Sequence, residues 1–206
     1  MRYILGVIAM LMLKVAWANN FDLVNFLDSI HSMRANFVQT SFDKRHKPIQ
    51  RQAGEMALQR PGKFRWQIKE PEAQLIIANN NKLYIFDPDL AQLTIRPLAS
   101  NGDVPGLLLS EKIPNIERKF TITANQHADG SVWFKLVPKQ SNESFSAISL
   151  GFKDHALYAM ELVDNFDNIT KIDFSAIKLN ADLPDPLFLL KPPANVDVID
   201  ETHAGT

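Results

Sequence analysis

Apolar residues recur along this chain with two different periods, and the change from one to the other comes early. Leu23, Phe26, Leu27, Ile30 and Met33 fall at the spacing of one helix face. They predict an amphipathic helix over Phe21 to Met33, with Asn20 as its N-cap and Asp22 favourably placed against the dipole of the first turn. Beyond it alternate positions are apolar, the pattern of strands whose successive side chains take opposite faces. Strands are expected at Ala35 to Asp43, Arg51 to Gln59, Lys63 to Lys69, Gln74 to Ala78, Lys82 to Asp87 and Gln92 to Arg96. The pattern resumes at Arg118 to Ala124, Ser131 to Val137, Phe145 to Phe152, Ala156 to Val163 and Thr170 to Leu179. Between them stands turn chemistry: Asn79-Asn80-Asn81, Asp87-Pro88-Asp89, Asp129-Gly130 and Asn165 to Asn168. Connections this short join antiparallel neighbours. Asp103 to Ser110 interrupts the alternation and reads as a short apolar helix or helical turn. About eleven antiparallel strands with helices at two points predict a mainly β, α+β fold: an unclosed antiparallel β-barrel with helical elements packed over its opening.

One window is denser in information than the rest. From Gly54 to Trp66, the apolar sets Met56/Leu58 and Phe64/Trp66/Ile68 flank a Pro-Gly turn, and Arg60 closes the first strand immediately before it. The hairpin therefore presents a wide apolar face with one cation at its rim. Such a face serves equally as an ordinary core or as a binding surface for something apolar, and Arg60 equally as a solvated strand-end charge.

The start of the chain differs in character from the remainder. Arg2 precedes a short apolar run, Ile4 to Leu13, and Ala16-Trp17-Ala18 fits the small-x-small pattern at which a secretory leader is cleaved. The run is shorter than the roughly 20 residues of a membrane span. Residues 1–18 are expected to be a signal peptide, with an uncleaved anchor as the alternative, and 19–206 a single domain long enough for a full core. Lys and Arg number 22 against 23 Asp and Glu, and losing Arg2 and Lys14 with the leader makes the mature chain slightly more acidic. That balance excludes a nucleic-acid footprint and argues against a polybasic membrane patch. The chain has no cysteine, so the core must supply the stability that exported domains often draw from disulfides, and no lipid can be attached through a thiol. A soluble protein of the periplasm of a Gram-negative bacterium is expected, with release into the medium as the alternative.

Catalytic chemistry finds no foothold in the sequence. His31, His46, His127, His155 and His203 are scattered, without a His-Glu-x-x-His or a cysteine partner, so neither metal nor cofactor is expected. Gly-x-Ser-x-Gly and phosphate-cradling glycine loops are absent. Asp87/Asp89, Asp164/Asp167 and Asp182/Asp185 flank turns or prolines, where aspartate serves the backbone. Lys44-Arg45-His46-Lys47 is a basic, solvated loop.

Taken in order, several segments resemble one known family. They are the N-terminal helix, Met33-Arg34-Ala35-Asn36-Phe37-Val38-Gln39-Thr40, the Gly54 to Trp66 hairpin, the Glu70-Pro71 corner and Asn81-Lys82-Leu83-Tyr84-Ile85-Phe86-Asp87-Pro88. The late Leu187 to Pro193 segment, ending in Pro-Pro before Val196 and Val198, completes the series. Together they resemble the periplasmic outer-membrane lipoprotein carrier family, LolA, over essentially the whole mature chain. The resemblance implies an unclosed β-barrel, a helical lid and an apolar cavity between them. It implies a non-enzymatic, monomeric carrier. Such a carrier takes acylated lipoproteins from an inner-membrane ABC transporter, shields their acyl chains across the periplasm and hands them to an outer-membrane acceptor lipoprotein. Acyl chains cost about 0.8 kcal/mol per exposed CH2 in water, so the cavity must be apolar yet closed when empty.

On this resemblance Met56, Leu58, Phe64, Trp66 and Ile68 are candidate contacts for acyl chains or a partner, and Leu23, Phe26, Leu27, Ile30, Leu107, Leu108 and Leu109 lie on the helices that cover them. Arg60 stands where the family has an arginine that hydrogen-bonds the lid backbone and keeps the cavity shut. Arginine suits that place, since its rigid donors can satisfy orphan carbonyls at helix ends. Two other readings stay open: a periplasmic half-barrel for a free lipid or other apolar ligand, and an envelope-sensing regulatory domain of the same fold. A hydrolase would need an acid/base pair that the sequence does not place.

Overall fold

The computed structural model describes residues 22–79, 81–98, 105–140 and 144–202. The expected leader, Asn20, Phe21 and the first residues of the Asp103 to Ser110 segment lie outside them. Twelve strands form one sheet: β1 (Ser32–Phe42), β2 (Pro48–Gln59), β3 (Lys63–Glu70), β4 (Gln74–Asn79), β5 (Lys82–Asp87), β6 (Gln92–Pro97), β7 (Phe120–Gln126), β8 (Val132–Pro138), β9 (Phe145–Lys153), β10 (Ala156–Asp164), β11 (Ile169–Leu179) and β12 (Asp197–Asp200). Their order is β12-β6-β5-β4-β3-β2-β1-β11-β10-β9-β8-β7. The sheet is unclosed, with β7 and β12 at its two edges. β12 runs parallel to β6, and all other neighbours are antiparallel.

Alternation decides which face is buried. Met33, Ala35 and Phe37 on β1, Met56 and Leu58 on β2, and Phe64, Trp66 and Ile68 on β3 all point to the inner face, where they join apolar residues from β4, β5 and β7 to β11 in one core. The lid elements close over that face: α1 (Leu23–Ser29), a 3-10 turn (Pro105–Ser110) and α2 (Ile113–Lys119). On the opposite, outer face the chain leaving β11 lays a second small apolar cluster, Leu183 and Phe188, against Ala57.

The structure departs from the sequence expectations at four places. The first helix is shorter than expected, because Met33 belongs to β1, opposite Leu58 and Leu179 and fully buried on the inner face. Two strand ladders outweigh one more helical turn. Its N-cap is Asp22, whose carboxylate accepts from Val24 N at 2.9 Å. The strand expected at Arg118 begins at Phe120, because the preceding residues form α2, with Pro in its first turn and Arg118 and Lys119 in its last. Finally, Asp197–Asp200, for which no strand was expected, adds a twelfth strand, and Glu201 N donates to Ile95 O at 2.8 Å.

Two glycines permit close approaches on which this packing rests. A Cβ on Gly54 would lie 2.0 Å from Gln67 O and 2.9 Å from the ring of Phe37. A Cβ on Gly106 would lie 3.0 Å from the rings of both Phe64 and Trp66, so this glycine lets the 3-10 turn lie directly on the aromatic floor. Gly54→Ala should lower stability by about 3 kcal/mol, read as a lower urea midpoint at unchanged m-value. Gly106→Ala should lower the midpoint too, by the equivalent of about 1–3 kcal/mol, as it pushes the lid off the rings. Faster hydrogen exchange at Leu107–Ser110 and stronger binding of an apolar dye would register it.

Candidate functional site

Strands β1 to β3 supply the floor of the site. Phe37 and Trp66 stack with centroids 3.6 Å apart and planes 18° apart, and Phe64 lies parallel to Trp66 at 5.9 Å. Period 2 puts all three rings on the inner face, Phe37 from β1 and Phe64 and Trp66 from β3, and Gly54 on the intervening β2 leaves the room across which Phe37 meets Trp66. Leu107, Leu108 and Leu109 of the 3-10 turn cover the floor and are themselves 2, 1 and 4 % exposed. Leu23 and Leu27 reach the same core from α1. Ile30 does too, but from the extended residue that ends α1 rather than from the helix itself. Phe26 is half-buried, its ring edge-on to Phe152 at 4.8 Å. The structure thus gathers every apolar residue singled out in the sequence into one cluster or, for Phe26, against it.

Arg60 sits where floor and lid meet. Its Nε donates to Leu109 O at 2.9 Å. Backbone bonds flank this contact: Arg60 N donates to His31 O at 2.8 Å, just beyond α1, and Gly62 N to Ser110 O at 3.0 Å. The β2–β3 turn therefore holds two pieces of the lid at once. Burial pulls the Arg60 pKa below the usual arginine value, while the carboxylates of Asp28 and Glu111 favour the charged form. The guanidinium makes less of its donors than the sequence suggested. Its Nη2 is buried without a hydrogen-bond partner, as is the neighbouring Gln59 Oε1. A crevice of about 380 Å³ opens beside it between α1 and α2, with Asp28, His31 and Glu111 on its walls.

Sequence reasoning missed Gly106, Asp28 and Glu111. Gly106 was visible as the glycine opening the Pro-Gly-Leu-Leu-Leu run, whereas the two acids carry no local signal, because only the tertiary fold brings them to Arg60. Of the aspartates at turns, Asp87 and Asp164 serve the backbone, Asp87 accepting from Leu90 N at 3.2 Å, whereas Asp185 pairs with Lys63. Asp164 accepts from Phe166 N and Asn168 N, both at 2.8 Å. Burial alone would raise its pKa, but these bonds and that from the Asn168 side chain hold it below the usual carboxylate value. The arrangement as a whole is an apolar face, an apolar cover and one arginine hydrogen-bonded across their seam.

The chain matches the family described as outer membrane lipoprotein carrier protein LolA over residues 28–191. An outer-membrane lipoprotein carrier protein of Methylobacillus flagellatus is 37% identical over 206 residues, covering 98% of this chain and all of the relative. One from Legionella pneumophila is 40% identical over 176 residues, 85% of this chain and 86% of the relative. Among solved structures, an uncharacterized conserved protein from Thermus thermophilus superposes with a TM-score of 0.51. That pair covers 85% of this chain and 97% of the other at 12% identity, a likeness of fold alone. The matched region runs from the end of α1 through the floor, the Arg60 turn and the lid to the segment crossing the outer face, and over that length the chain belongs to the LolA family of outer membrane lipoprotein carrier proteins.

Proposed function

We propose that this chain is exported to the periplasm, its residues 1–18 removed as a signal peptide, and that it carries acylated lipoproteins from the inner to the outer membrane. It takes them from an inner-membrane ABC transporter and gives them to an acceptor lipoprotein, and it catalyses no reaction. The observation that carries this reading is the leucine cover over the aromatic floor, fastened by one side-chain bond from Arg60 to Leu109 O. Lifting Leu107, Leu108 and Leu109 into water costs about 1.5–3 kcal/mol each, and an acyl chain of about a dozen methylenes at about 0.8 kcal/mol each matches or exceeds that sum. Cargo and lid therefore compete for one surface at similar free energies, as a reversible carrier requires.

Arg60 acts on this competition as a latch. The closed, empty lid is the product of release, so whatever stabilises it favours delivery. Met56, Leu58, Phe64, Trp66 and Ile68 take the acyl chains once the lid has moved aside.

Spheroplasts retaining newly made lipoproteins, supplied with the purified mature chain, should yield a soluble 1:1 complex with an acylated polypeptide. Recovery of free lipid alone would instead identify a ligand-binding half-barrel. Arg60→Leu should still accept cargo but deliver it to acceptor-bearing outer membranes about tenfold more slowly or worse, the equivalent of one charged hydrogen bond. Delivery at the wild-type rate would remove the latch from the mechanism.

A further inference from the structure

On the outer face of the sheet, away from the acyl-binding side, the chain leaving β11 roofs a groove of about 520 Å³. The roof is pinned at both ends. Asn180 Oδ1 accepts from His31 N at 2.8 Å, and Ser32 Oγ donates to Ala181 O. Farther along, Arg65 Nη1 donates to Leu187 O and Asn79 Nδ2 to Phe188 O, both at 3.2 Å, and Lys63 pairs with Asp185. Leu183 and Leu187 form an apolar wall.

Strand register sets what lies beneath that roof. Lys178 of β11 stands opposite Arg34 of β1, Arg34 opposite Ala57 of β2, and Ala57 opposite Arg65 of β3. One row across four strands thus presents three cations on a single face, and the short Ala57 leaves a depression between the two arginines. Like charges directly opposite one another destabilise a sheet. Arg34 and Lys178 are so placed, and among the described residues neither has an ion-pair partner. The acids along the groove do not neutralise the row. Glu55 pairs with Lys69, and Asp182, on the exposed roof, pairs with none of the three cations. Arg65 is half-buried, and burial lowers its pKa against the favourable pull of Glu55.

We propose that this groove binds a phosphate group, carried either on an anionic lipid headgroup or on a soluble phosphate monoester. Arg34 flanks the depression with a planar fork suited to a bidentate oxyanion contact. Arg65, whose Nη1 and Nη2 donate to Leu187 O and Gln67 Oε1, and Lys178 add charge on either side. Leu183 and Leu187 receive the apolar flank of the molecule that bears the phosphate. The anion relieves the repulsion built into the row. The site stands independently of the lipoprotein reading, since it uses the opposite face of the sheet.

The test uses the isotope-labelled mature protein and sn-glycerol 3-phosphate, followed by Arg Nε–H resonances, together with co-sedimentation on phosphatidylglycerol and phosphatidylcholine vesicles. Saturable shifts at Arg34 and Arg65 are expected. The double variant Arg34→Gln, Lys178→Gln, at two exposed positions, should weaken binding about tenfold or more with a urea midpoint no lower than wild type. Added sedimentation with phosphatidylglycerol but not phosphatidylcholine assigns the phosphate to a lipid; glycerol phosphate binding without it assigns a soluble ester. Absence of saturable shifts overturns the site. So does an equal loss in Lys44→Gln, Lys47→Gln, at the loop beyond the far end of β1, because attraction would then be a matter of net charge.

Discussion

An apolar surface made to receive lipid must not face water between one occupant and the next. Much of this protein follows from that constraint. The inner face of the unclosed sheet is covered by Leu107, Leu108 and Leu109, laid on Phe64 and Trp66 across a glycine that brings the backbone within contact of both rings, and on the proposed function they stand in for cargo. The leucines are chemically close to what they stand in for. Branched aliphatic side chains and acyl methylenes gain the same transfer free energy per unit area, so replacing one by the other changes little in total. A floor more apolar or a cover more polar would tilt that exchange permanently one way.

The contact we propose as a catch at the seam is polar, which gives it a property the apolar contacts lack: it is steeply sensitive to geometry. Dispersion and hydrophobic contacts fade gradually as surfaces part, whereas a hydrogen bond weakens steeply once its angle fails. Arg60 commits one nitrogen to Leu109 O and leaves Nη2 unpaired. A buried donor without a partner costs about 1–3 kcal/mol, so the closed state carries its own penalty and is held less tightly than a fully satisfied guanidinium would hold it. Asp28 and Glu111 favour the charged form of the guanidinium against the burial that opposes it.

The sheet was largely legible in the sequence because alternation and turn residues are local signals. β5 has the bounds that its pattern predicts, and most other strands differ from theirs by a few residues at an end. Where the reading failed, the deciding interaction was remote. Met33 suits a helix face and a strand face alike, and only its pairing with Leu58 and Leu179 settles the matter. α2 buries Ile116 alone, too little to show a stripe over seven residues. β12 exposes all four of its residues and pairs with a strand far back in the chain, so no periodicity could reveal it. The same holds for the site. Its apolar members could be picked out residue by residue, but the carbonyl that Arg60 takes and the row Lys178–Arg34–Ala57–Arg65 exist only once register is fixed.

The exposed β12 has a further consequence. It occupies the backbone donors and acceptors of β6 from Gln92 to Ile95, and Asp197 N extends the ladder to Ala91 O at 2.9 Å. With no side chain buried, backbone hydrogen bonds are its main hold. It works like a hem on cloth, protecting an edge that would otherwise pair with any extended strand of a second molecule. A hem of four residues with an aspartate at each end leaves a second molecule only a short and charged stretch of backbone to pair with.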